Sequence, residues 1–170
     1  MFSGCNQQNH ISTKQKSNIK QQFPSYLVGM WKGEDKDTSL WEFTFEQDGK
    51  ISKLTNFLGL QVNVSEGQAD RKIPELNIDQ ACTLGPVEVN YEPDSRTLSV
   101  KVVTDYYMFY VAEQMIEGSS VDTFTGPISE DGSTWDAEWR SFSGTSNGPP
   151  IDFNNPVIVK VAFYKEKSNQ

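Results

Sequence analysis

Histidine is almost missing from this 170-residue chain: the one copy, His10, sits in a stretch of Gln, Asn, Ser and Lys near the amino end. A Ser-His dyad needs a rigidly held imidazole and a His/Cys zinc site needs several such ligands, so both chemistries are argued against. Cysteine is nearly as scarce. Cys5 and Cys82 are the only two, which is no disulfide framework, and Cys82 reads as a small buried hydrophobe. Positive charge is in deficit as well, with 15 Lys and Arg against 23 Asp and Glu and a formal charge of −8. Nucleic-acid backbones are held by clustered cations, so no nucleic-acid partner is expected. No apolar run approaches the ~18–20 residues of a membrane-spanning helix. Neither a Walker loop nor a G-x-G-x-x-G turn occurs, and no D-x-D-x-D-G calcium loop. The expectation is a chain with no metal and no cofactor.

What the chain does have is alternation. Residues 1–24 are a polar tail, too poor in large apolar side chains to order itself. From residue 25 the pattern changes. Trp41, Phe43 and Phe45 alternate with Glu42, Thr44 and Glu46, the period-two signature of a half-buried strand. Gln47-Asp48-Gly49 then reads as a turn. The same alternation returns in Leu58–Val64, Val87–Tyr91, Leu98–Val102, Trp135–Trp139 and Val157–Phe163. Pro74 marks its neighbourhood as loop or a short edge strand. The run from Leu98 to about Ile116 reads as the longest strand. Its half from Tyr106 to Val111 is apolar on both faces, which implies cover on both sides or a bulge that swaps them. Gly118-Ser119-Ser120 reads as the break after it. Nine or ten strands at spacings near ten residues, with no amphipathic helix, predict one all-β domain over residues 25–165 and a polar end at 166–170. The fold expected is an antiparallel meander closed or nearly closed into a barrel, with a β-sandwich as the alternative.

Two short motifs in this setting resemble the lipocalins and the wider calycin barrels. Gly29-Met30-Trp31 is similar to the G-x-W that opens the first barrel strand there. Thr104-Asp105-Tyr106, with Phe109 beyond, resembles the family's T-D-Y-x-x-Y element. The resemblance implies a Trp31 packed across the barrel floor, a Gly29 that admits neighbouring backbone, and structural roles for Thr104 and Asp105. Arg140 is the counterpart of an Arg that stacks on that Trp, although its alternation faces it outward. The chain departs from the family in having no helix pattern between Ser141 and Pro156, and in placing T-D-Y inside a β run. At the amino end, Phe2-Ser3-Gly4-Cys5 resembles the end of a bacterial lipoprotein signal. That likeness implies lipidation of Cys5, a membrane tether through residues 6–22 and an extracytoplasmic location. Glu117 to Trp139 is similar to a segment of uncharacterised bacterial lipoprotein-type domains, which implies no activity.

Aromatics dominate the inward face. Trp41, Phe43, Tyr106, Tyr110, Trp135 and Trp139 are the candidate ligand-binding residues, because aromatic-lined concavities take apolar or aromatic molecules. The tyrosine hydroxyls are the natural polar contacts. Asp105, Glu113, Glu117, Asp122, Asp136 and Glu138 lie on or near strands and read as outward, solubilising acids. The expected function is a non-enzymatic domain binding a small apolar or aromatic ligand inside the barrel, with no catalytic residue. The alternatives are an anchored protein-interaction module with a filled core, and a glycosidase or isomerase built on paired carboxylates.

Overall fold

The computed structural model describes residues 23–34, 41–111, 113–146, 148 and 151–166; the candidate lipidation site Cys5, most of the polar tail and the last four residues lie outside them. Ten strands follow in chain order: β1 (Gly29–Glu34), β2 (Glu42–Phe45), β3 (Ile51–Thr55), β4 (Gln61–Asn63), β5 (Gln68–Ile73), β6 (Ile78–Glu92), β7 (Thr97–Val111), β8 (Gln114–Pro127), β9 (Thr134–Thr145) and β10 (Val157–Lys165). All pair antiparallel in one sheet ordered β4-β3-β2-β1-β10-β9-β8-β7-β6-β5. A single sheet curled on itself replaces the sandwich alternative. Each strand pairs with the next in sequence except β4 with β5, and the first and last strands, β1 and β10, also pair, with Trp31 opposite Lys165.

Consecutive strands β4 and β5 are the two sheet edges, and they meet without a strand ladder between them. Side chains bridge this seam. Arg71 donates through Nη2 to the Leu58 carbonyl at 3.3 Å and through Nε to Gln80 Oε1 at 2.9 Å, while Gln80 Nε2 donates to the same Leu58 carbonyl at 3.2 Å. The barrel is therefore nearly closed, its last step made by a guanidinium and an amide. Such a seam hides strand edges that would otherwise template pairing with other chains.

A short 3₁₀ helix, Ser25–Leu27, seals one end. Leu27 and Trp31 are both fully buried, and Trp31 Nε1 donates to the Leu27 carbonyl at 2.8 Å. Gly29 sits at φ +119°, where an L side chain is strained, so its glycine serves the chain's entry into β1. Around this end, Lys165 Nζ donates to the Tyr26 carbonyl at 2.8 Å and the Arg96 guanidinium lies 5.2 Å above the Tyr26 ring. Arg140 is not the residue stacked here; it pairs outward with Glu138 at 2.7 Å.

The Tyr26 and Tyr91 hydroxyls share a hydrogen bond at the same end. Burial, then Tyr26, pushes the Tyr91 phenol up to about 12. Because the folded value exceeds the ordinary phenol value of 10.0, this contribution to stability fades as pH rises from there towards 12. In an absorbance titration at alkaline pH, the last tyrosine to ionise should disappear in Tyr91→Phe. If the variant keeps that last step, the closed end is not packed as described.

Two features of β7 and β8 differ from the sequence expectation. The long run is interrupted by a hairpin, with Glu113 at φ +65°, rather than continuing to Ile116. Gly118 does not break the chain; it lies inside β8, opposite Tyr107 and Thr145. A Cβ there would stand 2.2 Å from the Gly144 carbonyl oxygen, so this glycine permits a close strand approach, not a turn.

Candidate functional site

The barrel interior divides into two halves of different chemistry. The half towards the 3₁₀ helix and the waist is filled by rings. Phe124 lies 5.0 Å from Trp41, 5.2 Å from Phe43 and 5.8 Å from Phe163, and Trp135 stacks on Phe163 at 4.6 Å. Trp41, Phe43, Phe124, Trp135 and Phe163 have no solvent exposure. Ring against ring at these spacings is packed core. Phe43 and Trp135, two of the residues predicted to bind ligand, are placed inside this packing.

The half towards the opposite end, here the polar half, sets polar side chains among apolar ones such as Val62, Cys82 and Leu84. Strand register stacks it in rows: Val102, Asp122 and Ser141; then Leu84, Thr104 and Ser120, with Ser143 exposed at the row's end; then Cys82, Tyr107 and Gly118, with Thr145 exposed beyond them. Thr104, Ser120 and Asp122 are buried. Asp122 is the hub: Ser120 Oγ donates to its Oδ2 at 2.8 Å and Trp139 Nε1 to its Oδ1 at 2.9 Å. Burial pushes the Asp122 carboxyl above its ordinary value, and bonds from Ser141, Ser120 and Trp139 pull part of the way back. Tyr107, stacked beside Phe109 and edge-on to Phe57 at 5.4 Å, is raised by burial and by the charge of Asp122.

Asn56, just past β3, closes the loop into β4 by accepting the Leu58 and Leu60 amides on Oδ1. Its side chain also faces the buried Cys82 thiol, which burial pushes up and Ala69 and Asn56 pull part of the way back, so a weak sulfur acceptor stands beside Nδ2. Three polar atoms in this half have no hydrogen-bond partner among the described residues: Trp41 Nε1, Asn56 Nδ2 and Thr104 Oγ1. A fourth, Trp135 Nε1, belongs to the ring-filled half. Buried polar atoms nearly always find a partner in protein or in ordered water, so three in one region await a water molecule or a ligand's polar group.

Of the predicted binding residues, Trp41 and Trp139 reach this polar half, 6.1 Å apart between ring centroids. Tyr106 and Tyr110 do not. Between Thr104 and Tyr107 the β7–β8 register shifts, placing Asp105 and Tyr106 against the single residue Ser119. This bulge turns Tyr107 inward and leaves Tyr106 outside, 40% exposed, donating its hydroxyl to Glu117 Oε1 at 2.7 Å. Tyr110 follows the same displaced phase and lines an outer groove of about 360 Å³ with Ile78, Met108 and Met115. Of the motif residues, Thr104 is buried and Asp105 exposed.

The acids are not all outward either. Asp105, Glu113 and Asp136 are exposed, but Asp122 has no exposure and is the one buried charged side chain among the described residues. It shares the inward face with Ser120 and Phe124, one residue out of phase with the outward reading. Among the described residues no three His, Cys, Asp or Glu cluster as metal ligands. In comparisons with known proteins, no family model matches the chain, and neither a curated protein nor a solved structure matches it significantly.

Proposed function

We propose that this protein is a non-enzymatic, lipocalin-like binding domain that takes a small apolar or aromatic molecule bearing one polar group into the polar half of its barrel. The ligand's ring or chain would lie against Trp41 and Trp139. Its polar group would meet Thr104 Oγ1 and Asn56 Nδ2. The observation that carries this reading is the trio of unpartnered buried atoms, Trp41 Nε1, Asn56 Nδ2 and Thr104 Oγ1, in the half remote from the 3₁₀ seal. A single enclosed carboxyl among the described residues supports binding over glycoside hydrolysis, which uses a matched pair. The proposed setting is extracytoplasmic, with Cys5 as a lipid tether; metabolic labelling with a fatty acid and its loss in Cys5→Ser tests that part.

Thr104→Val separates binding from packing because its two effects have opposite signs. Removing an unpartnered buried hydroxyl should stabilise the free protein by about 1–3 kcal/mol. The same change should weaken the ligand by roughly tenfold, the loss of one good hydrogen bond. Phenols, indoles, long-chain alcohols and amides are suitable probes, read by thermal shift and tryptophan fluorescence. Saturating ligand at 100 times its Kd adds about 2.7 kcal/mol to stability. Absence of any shift across these classes would sink the reading.

A second reading, a protein-interaction module, is favoured by one observation. Met115 is 60% exposed and borders the outer groove lined by Ile78, Met108 and Tyr110. Exposed apolar side chains grouped at one groove are the mark of a contact surface. Reproducible capture of a partner by wild type but not by Met115→Glu would support it, and equal capture by both would count against it.

A further inference from the structure

We infer a second, independent site on the outer wall of the barrel, a saccharide-binding groove centred on Tyr106. The β7 bulge is what creates it. Bulges re-aim side chains and recur beside functional sites. Here the extra residue takes an aromatic ring that alternation would bury and sets it on the outer face. The ring is held in place, because its hydroxyl donates to Glu117 Oε1 at 2.7 Å. Gly85 makes room at the same spot, since a Cβ on it would stand 2.7 Å from Asp105 Oδ1.

Tyr106 is the wall shared by two depressions. One, of about 320 Å³, has Gly118 and Gly144 in its lining and is edged by Asp105, Ser119 and Thr145. The other, of about 570 Å³, runs across β3 to β6 and presents Gln61, Asn63, Gln68, Asp70 and Thr83. Together they make a polar trough with one exposed aromatic face at its middle. A sugar has the matching chemistry: a C–H face that lies on a ring, and a rim of hydroxyls that both donate and accept. Side-chain amides, hydroxyls and carboxylates fixed on strands answer that rim in both senses. Glu66, Asp70, Asp105 and Glu117 outnumber Lys53 in the lining and repel anions, so the groove fits a neutral oligosaccharide, with the units on either side of Tyr106 filling the two depressions.

The test is an array of neutral gluco-, xylo-, manno- and chito-oligosaccharides alongside uronic-acid oligosaccharides, followed by calorimetry on the hits. At least one neutral series should bind. Tyr106→Ala should weaken it by about tenfold or more, as truncating a central aromatic contact does. Its thermal midpoint should stay unchanged, because the side chain lies outside the core. Glu117→Gln and Tyr106→Phe should each cause a smaller loss, by disturbing the ring's anchor. Thr104→Val should leave sugar binding alone, which keeps this site distinct from the interior one. Binding of no neutral oligosaccharide, preference for the uronic acids, or unchanged affinity in Tyr106→Ala would each overturn the inference.

Discussion

Phe124→Ala should cost about 3–5 kcal/mol of folding stability, the range for deleting a large buried side chain. Natural domains hold only about 5–15 kcal/mol, so the variant is expected near the edge of folding at 25 °C. The reason is its position. Its ring meets Trp41, Phe43, Trp135, Trp139 and Phe163, with centroids between 5.0 and 6.3 Å, and stacks on Trp139 at an interplanar angle of 7°. No neighbour is free to collapse into the gap, since each is itself packed by others. Tyr164→Ala is the control: it lies on β10 nearby but is 47% exposed, and should change stability by less than about 0.5 kcal/mol. Urea unfolding measures both, with the midpoint shifting and the slope held. A loss below about 1 kcal/mol in Phe124→Ala would mean a loose, hydrated waist, because a yielding site loses little on truncation. That outcome would move the ligand site down into the rings, away from the polar half.

The strands were legible because their inward residues differ chemically from their outward ones. Trp41, Phe43 and Phe45 against Glu42, Thr44 and Glu46 admit one assignment, and all three aromatics are buried. Closure was partly legible: nine or ten evenly spaced strands suit a barrel. The bridge that completes it, Arg71 and Gln80 to the Leu58 carbonyl, joins residues with no pattern linking them. The bulge was the point at which reading failed. An inserted residue inverts every later inward assignment without changing composition, and Tyr106, Tyr107, Met108, Phe109 and Tyr110 carry no polar marker to reveal the inversion. The doubly apolar stretch hinted at a face swap, but not at which residue it occurs. Gly118 failed for a related reason. A glycine needed for close strand contact is written the same way as one needed for a turn. Trp41 and Trp139 were read as interior aromatics, and the structure brings them to the polar half, while Thr104 was recognised as a motif residue only, and Asn56 carried no signal at all.

Asp122 was placed among outward acids because acids usually are outward, and its burial is the more informative for that. Burial holds its carboxyl above the ordinary value of 3.8, so over an interval of pH the folded protein keeps a proton that the unfolded chain has released. The stabilising contribution is complete below pH 3.8, falls as pH rises towards the folded value, and is constant beyond it. Within that window the slope is negative, with about −1.4 kcal/mol per pH unit as the limit set by one proton. Asp122→Asn should abolish this slope: it keeps an acceptor for Trp139 Nε1 and a partner for Ser120 Oγ, yet never ionises. It should match wild type at low pH and exceed it at neutral pH. Asp122→Leu should also lose the slope but fall below wild type. It leaves the Trp139 indole N–H and the Ser120 hydroxyl without their acceptor, at about 1–3 kcal/mol for each group left buried and unmet. Unfolding curves from pH 3 to 8 for the three proteins decide the matter. Equal stability of the Asn and Leu variants, or an undiminished slope in Asp122→Asn, would show that the carboxyl meets water and is not the hub of an enclosed network. An ordering of Asn above wild type above Leu at neutral pH would instead establish that the barrel bears a standing cost to keep a charge-capable group inside. A stability cost of this kind is what a strained or destabilised functional site carries.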